Sequence, residues 1–117
     1  MEAFSEYMVK NFENEMVDHV KKFAPQQADD LGDERLHEIV NEGIERAKKY
    51  KLTNRGPVRF YVELMFLLGN DFDTDPRYPW VSNILNDFKI TDQMERANII
   101  HEKYLDYKRK IAGQKID

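Results

Sequence analysis

Residues 58–68 read VRFYVELMFLL, which is apolar nearly all the way round when laid on a helix. A helix of this kind has almost no solvent face of its own, so the chain must surround it with neighbours on several sides. Arg59 and Glu63, four residues apart, mark its one polar strip and are placed to pair. Gly69 suits the position just past its end. A central apolar helix is therefore predicted near 57–68.

The rest of the chain supplies amphipathic partners. From about Glu2 to Phe23, Phe4, Met8, Phe12, Met16 and Val20 recur at steps of four, flanked by Val9 and Phe23, and Ala24 and Pro25 end the segment. The stretch PQQADDLGD reads as a connector with room for one helical turn, and Asp33 as the N-cap of the next helix. From Glu34 to about Tyr50 the apolar stripe is Leu36, Ile39, Val40, Gly43, Ile44 and Ala47. Glycine on an apolar helix face costs about 1 kcal/mol relative to alanine, which close helix packing explains more simply than a ligand does. Leu52 to Pro57 is a turn in which Thr53 or Asn54 can cap the central helix.

A short helix from about Pro79 to Phe88 offers Val81, Ile84, Leu85 and Phe88 as its inner face. The last helix opens at Thr91, carries Met94, Ala97, Ile100 or His101, Tyr104, Leu105 and Ile111 inward, and stops at Gly113. No alternating run of β-branched residues is long enough for a strand, so the expected fold is all-α: a single domain over residues 1–117, a compact bundle of about five helices. Five stripes on five helices can close such a bundle, or leave one stripe for a homodimer or a partner.

Composition removes whole classes of function. The 117 residues contain no cysteine, so there is no disulfide framework, thiolate metal site or cysteine nucleophile, and a cytoplasmic location is the simplest expectation. The first twenty residues carry charge throughout, showing neither a secretory signal nor a membrane anchor. A net charge of −4 argues against nucleic-acid binding, which needs a basic face to displace counterions from phosphate. The basic run Lys108, Arg109 and Lys110 is read as cations favoured at a helix end.

Nothing in the residue pattern announces catalysis. His19, His37 and His101 fall on different predicted helices, without the spacing of a metal motif such as H-E-x-x-H. The only serines are Ser5 and Ser82, in no nucleophile motif, and no glycine-rich phosphate loop is present. The expectation is a non-enzymatic protein with no cofactor and no bound metal.

The segment GNDFDTDPRYPW carries Asp71, Asp73 and Asp75 at alternate positions. A calcium loop begins this way, but from Asp71 its sixth position is Pro76 where glycine is required, and its twelfth is Ser82 where a bidentate glutamate is required. The preferred reading is a capped turn in which Thr74 or Asp75 accepts backbone N–H groups after Pro76, with Phe72 and Trp80 anchoring it. Arg77, Tyr78 and Trp80 are of the types that dominate protein interfaces, so Asp71, Phe72, Asp73, Asp75, Arg77, Tyr78 and Trp80 form the candidate protein-binding segment. Tyr78 and Trp80 acting only as a cap on the core is the competing structural reading.

Leu31 to Leu85 resembles a group of small, uncharacterised, all-helical bacterial proteins encoded near type VI secretion spike and effector components. The resemblance rests on Gly32-Asp33-Glu34-Arg35-Leu36 for a G-x-E-R-L start, on the G-I-E-R-A helix, and on F-D-T-D-P-x-x-P-W, with Arg77-Tyr78 as the variable pair. It implies an accessory role: an adaptor or chaperone for a secreted effector or spike protein, or else an immunity protein that neutralises a toxin. A small enzyme or metal-binding protein using Asp71–Asp75 is the independent alternative.

Overall fold

The computed structural model describes the backbone of residues 6–116 and the side chains of residues 10–113. Phe4 of the predicted first stripe, and the side chains of Met8 and Val9, lie outside these described residues. The described residues form α-helices and no strand: α1 (Glu6–Phe23), α2 (Pro25–Leu31), α3 (Asp33–Lys49), α4 (Arg55–Leu68), α5 (Pro79–Leu85) and α6 (Gln93–Ile116). The protein is all-α. The chain divides between Asn70 and Asp71 into two compact units, the first built from α1 to α4 and the second from the Asp71–Tyr78 segment, α5 and α6.

In the first unit, α4 buries Pro57, Val58, Tyr61, Val62, Leu64, Met65, Phe66 and Leu68, as its all-round apolar pattern requires. Every member of the predicted α3 stripe, from Leu36 to Ala47, is buried too. Gly43 lies where α3 meets α4: a methyl group there would sit 2.7 Å from Met65 Sδ and 3.2 Å from Val62 Cγ2. The glycine is a packing residue. On α1, Met16 and Val20 are buried, but Val17 joins them while Phe23 is exposed.

The connector is a full short helix, α2, with Pro25 at its start, rather than a single turn. Gly32, not Asp33, is the N-cap of α3; its φ of +82° is a conformation glycine adopts without strain, and Asp33 becomes the first helical residue. Asn54 takes the N-cap position of α4. At the other end of α4, Gln27 Nε2 of α2 donates to the Phe66 carbonyl at 3.2 Å, satisfying one of the acceptors a helix leaves open in its last turn. Glu63 is bonded to His19 of α1 at 2.7 Å, a partner the sequence reading gave instead to Arg59.

After α3 the chain turns through Tyr50 and Lys51. Lys51 N donates to Lys48 O at 2.8 Å and Leu52 N to Ala47 O at 2.9 Å, the paired bonds of a Schellman cap. Lys51 holds the left-handed conformation (φ +62°), and Leu52 is buried beside the cap.

In the second unit, α5 packs on α6, with Val81 and Leu85 buried on α5 and Ala97 and Ile100 on α6. Here the predicted stripes fail in part, because Phe88, Met94 and Leu105 are exposed. A seven-residue helix spans about 10 Å and a 24-residue one about 36 Å, so α5 can cover only a fraction of α6. Asp92 rather than Thr91 caps α6, accepting Met94 N–H at 3.0 Å. The helix runs through Gly113 to Ile116 instead of stopping there, which places Lys108, Arg109 and Lys110 inside it rather than at its end.

Candidate functional site

The segment before α5 is a pair of tight turns. Thr74 N–H donates to the Asp71 carbonyl at 3.1 Å, and Tyr78 N–H to the Asp75 carbonyl at 3.0 Å. Within the second turn the Asp75 carboxylate accepts the Arg77 backbone N–H at 2.9 Å, the bond characteristic of an aspartate-stabilised turn. The same carboxylate receives Arg77 Nε at 3.2 Å and Nη2 at 2.8 Å. Hydrogen bonding from Arg77 lowers the Asp75 carboxyl below its ordinary range, and Asp75 in turn raises the guanidinium. The Arg77 side chain is thereby held in one orientation although it is largely exposed.

That orientation lays the guanidinium carbon 5.2 Å from the centre of the Tyr78 ring. Tyr78 is buried and meets Tyr107 of α6 edge-on at 5.4 Å and Trp80 at 6.0 Å. Trp80 and Tyr107 close the triangle at 6.0 Å. Burial first, then the neighbouring Tyr107 hydroxyl, push the Tyr78 phenol above its ordinary value, so it stays neutral at physiological pH. Beside the rings lies a cleft of about 180 Å³ lined by Trp80, Lys103, Asp106, Tyr107 and Lys110.

The predicted segment thus separates into two sets of residues. Arg77, Tyr78 and Trp80 come together on α6, with Arg77 exposed and Trp80 half-buried. Phe72 and Asp73 are buried, so they fix the segment in place and present nothing to a partner, while Asp71 is exposed at the head of the first turn. The three aspartates occupy three different environments: exposed, buried, and bonded to Arg77. Among the described residues, no three or more His, Asp or Glu side chains converge on a point that could hold a metal ion.

Sequence reasoning did not find Tyr107 and Lys103, and it took Lys110 for a helix-end cation. The signal was present, since positions 103, 107 and 110 share a helix face one and two turns apart. It also missed a polar cluster in the first unit. Glu13 of α1, although buried, accepts hydrogen bonds from His37 Nδ1 at 2.8 Å and Asn41 Nδ2 at 3.1 Å on α3. Around it an open groove of about 810 Å³ is lined by five carboxylates, Glu13, Asp33, Glu34, Glu38 and Glu42, together with Lys10, His37 and Asn41. These partners are 24 and 28 residues from Glu13 in sequence, and no local motif announces them.

Set against models of known families, curated proteins and solved structures, the chain matches none. The reading of function therefore rests on the residues themselves. No helix among the described residues is long and apolar enough to cross a membrane.

Proposed function

We propose that this protein is a non-catalytic binding module in the cytoplasm, acting as an adaptor or chaperone for a type VI secretion effector or spike protein. The observation that carries the binding part of this reading is the Asp75–Arg77 clamp. It holds an exposed arginine against a ring cluster of Tyr78, Trp80 and Tyr107. Arginine, tyrosine and tryptophan are the residues through which interfaces gain most of their affinity, and an arginine already oriented loses less entropy on binding. The secretion context comes from the resemblance of Leu31 to Leu85 alone.

A second reading, immunity, is favoured by the groove between α1 and α3. Four of its five carboxylates are ion-paired within the chain, Glu13 to Lys10, Asp33 to Lys21, Glu38 to Arg35 and Glu42 to Arg46, so they would meet a basic catalytic cleft by exchanging those partners for its cations. Tagged protein expressed with its neighbouring genes, purified and analysed by mass spectrometry, tests both readings. Recovery of an effector or spike protein that Arg77→Ala reduces supports the adaptor. Rescue from a co-purifying toxin that is lost on reversing Glu38 and Glu42 to lysine supports immunity. Recovery of no protein at all would sink both.

A further inference from the structure

The cleft beside Trp80 has a chemistry that specifies its partner more narrowly than "protein". One side of it is the ring pair of Trp80 from α5 and Tyr107 from α6, packed on each other at 6.0 Å. Its two ends are the ammonium groups of Lys103 and Lys110, seven residues and therefore about 10 Å apart along one face of α6. The one acidic group in the lining, Asp106, is already paired with Arg109, one turn along. Lys103 and Lys110 have no carboxylate partner among the described residues, and both are exposed.

Charge along α6 sharpens the picture. From Lys103 to Lys110 the sequence KYLDYKRK holds four cations and one aspartate, in a chain whose net charge is −4. Of these, Lys103 and Lys110 share one face of α6, and two unpaired cations on an acidic protein attract an acidic partner while the remainder of the surface repels wrongly oriented encounters.

Size excludes a small-molecule cofactor, since such sites run to about 300–1,000 Å³. At about 180 Å³, the cleft has room for a single side chain. Nucleic acid stacks on aromatic rings as well, but it requires a longer basic track to release enough counterions than two unpaired lysines and an acidic molecule supply.

We infer that the Trp80–Tyr107 cleft is a docking site for an acidic protein segment that rests one apolar or aromatic side chain against the packed ring pair and places carboxylates against Lys103 and Lys110. The inference rests on the protein-binding reading above and names the chemistry of the partner. Arg77, on the Tyr78 side of the same ring cluster, is charge-paired with Asp75, which leaves Lys103 and Lys110 as the cations offered to the segment.

Trp80 is the only tryptophan in the chain, so its emission reports directly on the cleft. The probe is a glutamate-rich peptide with one central phenylalanine, titrated into the full-length protein. Its counterparts are the same peptide with lysine for every glutamate, and oligouridylate. A saturable change in Trp80 emission is expected with the glutamate peptide alone. Because both lysines are exposed, Lys103→Glu with Lys110→Glu should leave the helical circular dichroism unchanged and weaken binding by about tenfold, an effect that rising salt reproduces.

Three outcomes overturn the inference: no response to the glutamate peptide, an affinity indifferent to the double reversal, or equal binding of the lysine peptide or the oligouridylate. The co-purification separates this failure from that of the broader reading. A protein partner retained by the double variant would leave the binding function standing and move it to another face. A glutamate peptide that binds in a lysine-dependent way, with no protein recovered, would keep the cleft's preference and remove the accessory role.

Discussion

Glu13 on α1 and His37 on α3 are joined by a 2.8 Å hydrogen bond, and Asn41 one turn further along α3 occupies the other carboxylate oxygen at 3.1 Å. Burial works to raise the Glu13 carboxyl, but the bonds from His37 and Asn41 and the nearby Lys10 ammonium outweigh it and hold the group below its ordinary value of 4.5. A carboxyl with a depressed folded-state pKa contributes stability that is complete above the unfolded value and disappears as pH falls through the folded one. Urea unfolding from about pH 6 to about pH 3 should therefore show an acid limb that Glu13→Gln flattens. At neutral pH the same substitution should cost about 1–2 kcal/mol, and the gap from wild type should close towards the acid end. A gap independent of pH would remove ionised Glu13 as its source.

Gly43→Ala tests the approach of α3 to α4. Helix propensity alone favours alanine by about 1 kcal/mol, but the added methyl would lie 2.7 Å from Met65 Sδ. Overpacking of this kind costs about 1–3 kcal/mol, so thermal denaturation should show net destabilisation. A higher melting temperature would mean that Met65 swings aside freely and the contact is loose.

Lys51→Gly should act in the other direction. The Schellman cap of α3 places a side-chain-bearing residue at φ +62°, where glycine is the usual occupant. Relief of that conformation outweighs the extra freedom glycine gives the unfolded chain, and a gain of about 0.5–1 kcal/mol is expected in urea. Lys51→Ala keeps the strain and should give no such gain.

In the second unit, Phe72→Ala and Arg77→Ala should divide stability from binding. Phe72 is fully buried, and its truncation should cost about 3–5 kcal/mol. Arg77 is mostly exposed, so Arg77→Ala should scarcely move the melting temperature while reducing recovery of the protein partner. It should also let the Asp75 carboxyl rise towards its ordinary value, which a carbon-detected NMR titration reads directly. An unchanged Asp75 titration would show that the clamp does not persist in solution.

The sequence disclosed α3 and α4 well because most of their apolar positions are covered: periodicity and burial coincide from Leu36 to Ala47, and from Val58 to Leu68 the exception is Leu67, which is exposed. On α6 they part company. Met94 lies before the stretch of α6 that α5 covers, and Leu105 lies within that stretch but off the covered face, since Trp80 of α5 meets Tyr107 beyond it; periodicity carries no information about where a neighbour sits. Thr91 and Asp92 are both good caps, and only the path of the chain selected Asp92. At the candidate site, residue type alone pointed to Arg77, Tyr78 and Trp80. Tyr107 lay hidden in a lysine-rich run whose outward appearance is that of a solvated helix. The His19–Glu63 and Glu13–His37 bonds were illegible for another reason: they join residues 44 and 24 positions apart, and nothing local marks either partner.

The bond from Gln27 to the Phe66 carbonyl has a consequence for the order in which the first unit assembles. Most of α4 can form on its own backbone bonds and its contacts with α3, but its final turn is completed by a side chain 39 residues earlier in the chain. A contact across so long a loop is made only after the intervening entropy has been lost, which places it late on the folding path. Gln27→Ala should then hasten unfolding while leaving the refolding rate nearly untouched, and stopped-flow kinetics would reveal the reverse if α2 docks first. The last turn of the most apolar helix is thus tied to a glutamine on a seven-residue neighbour, and its closure should wait on the docking of that neighbour.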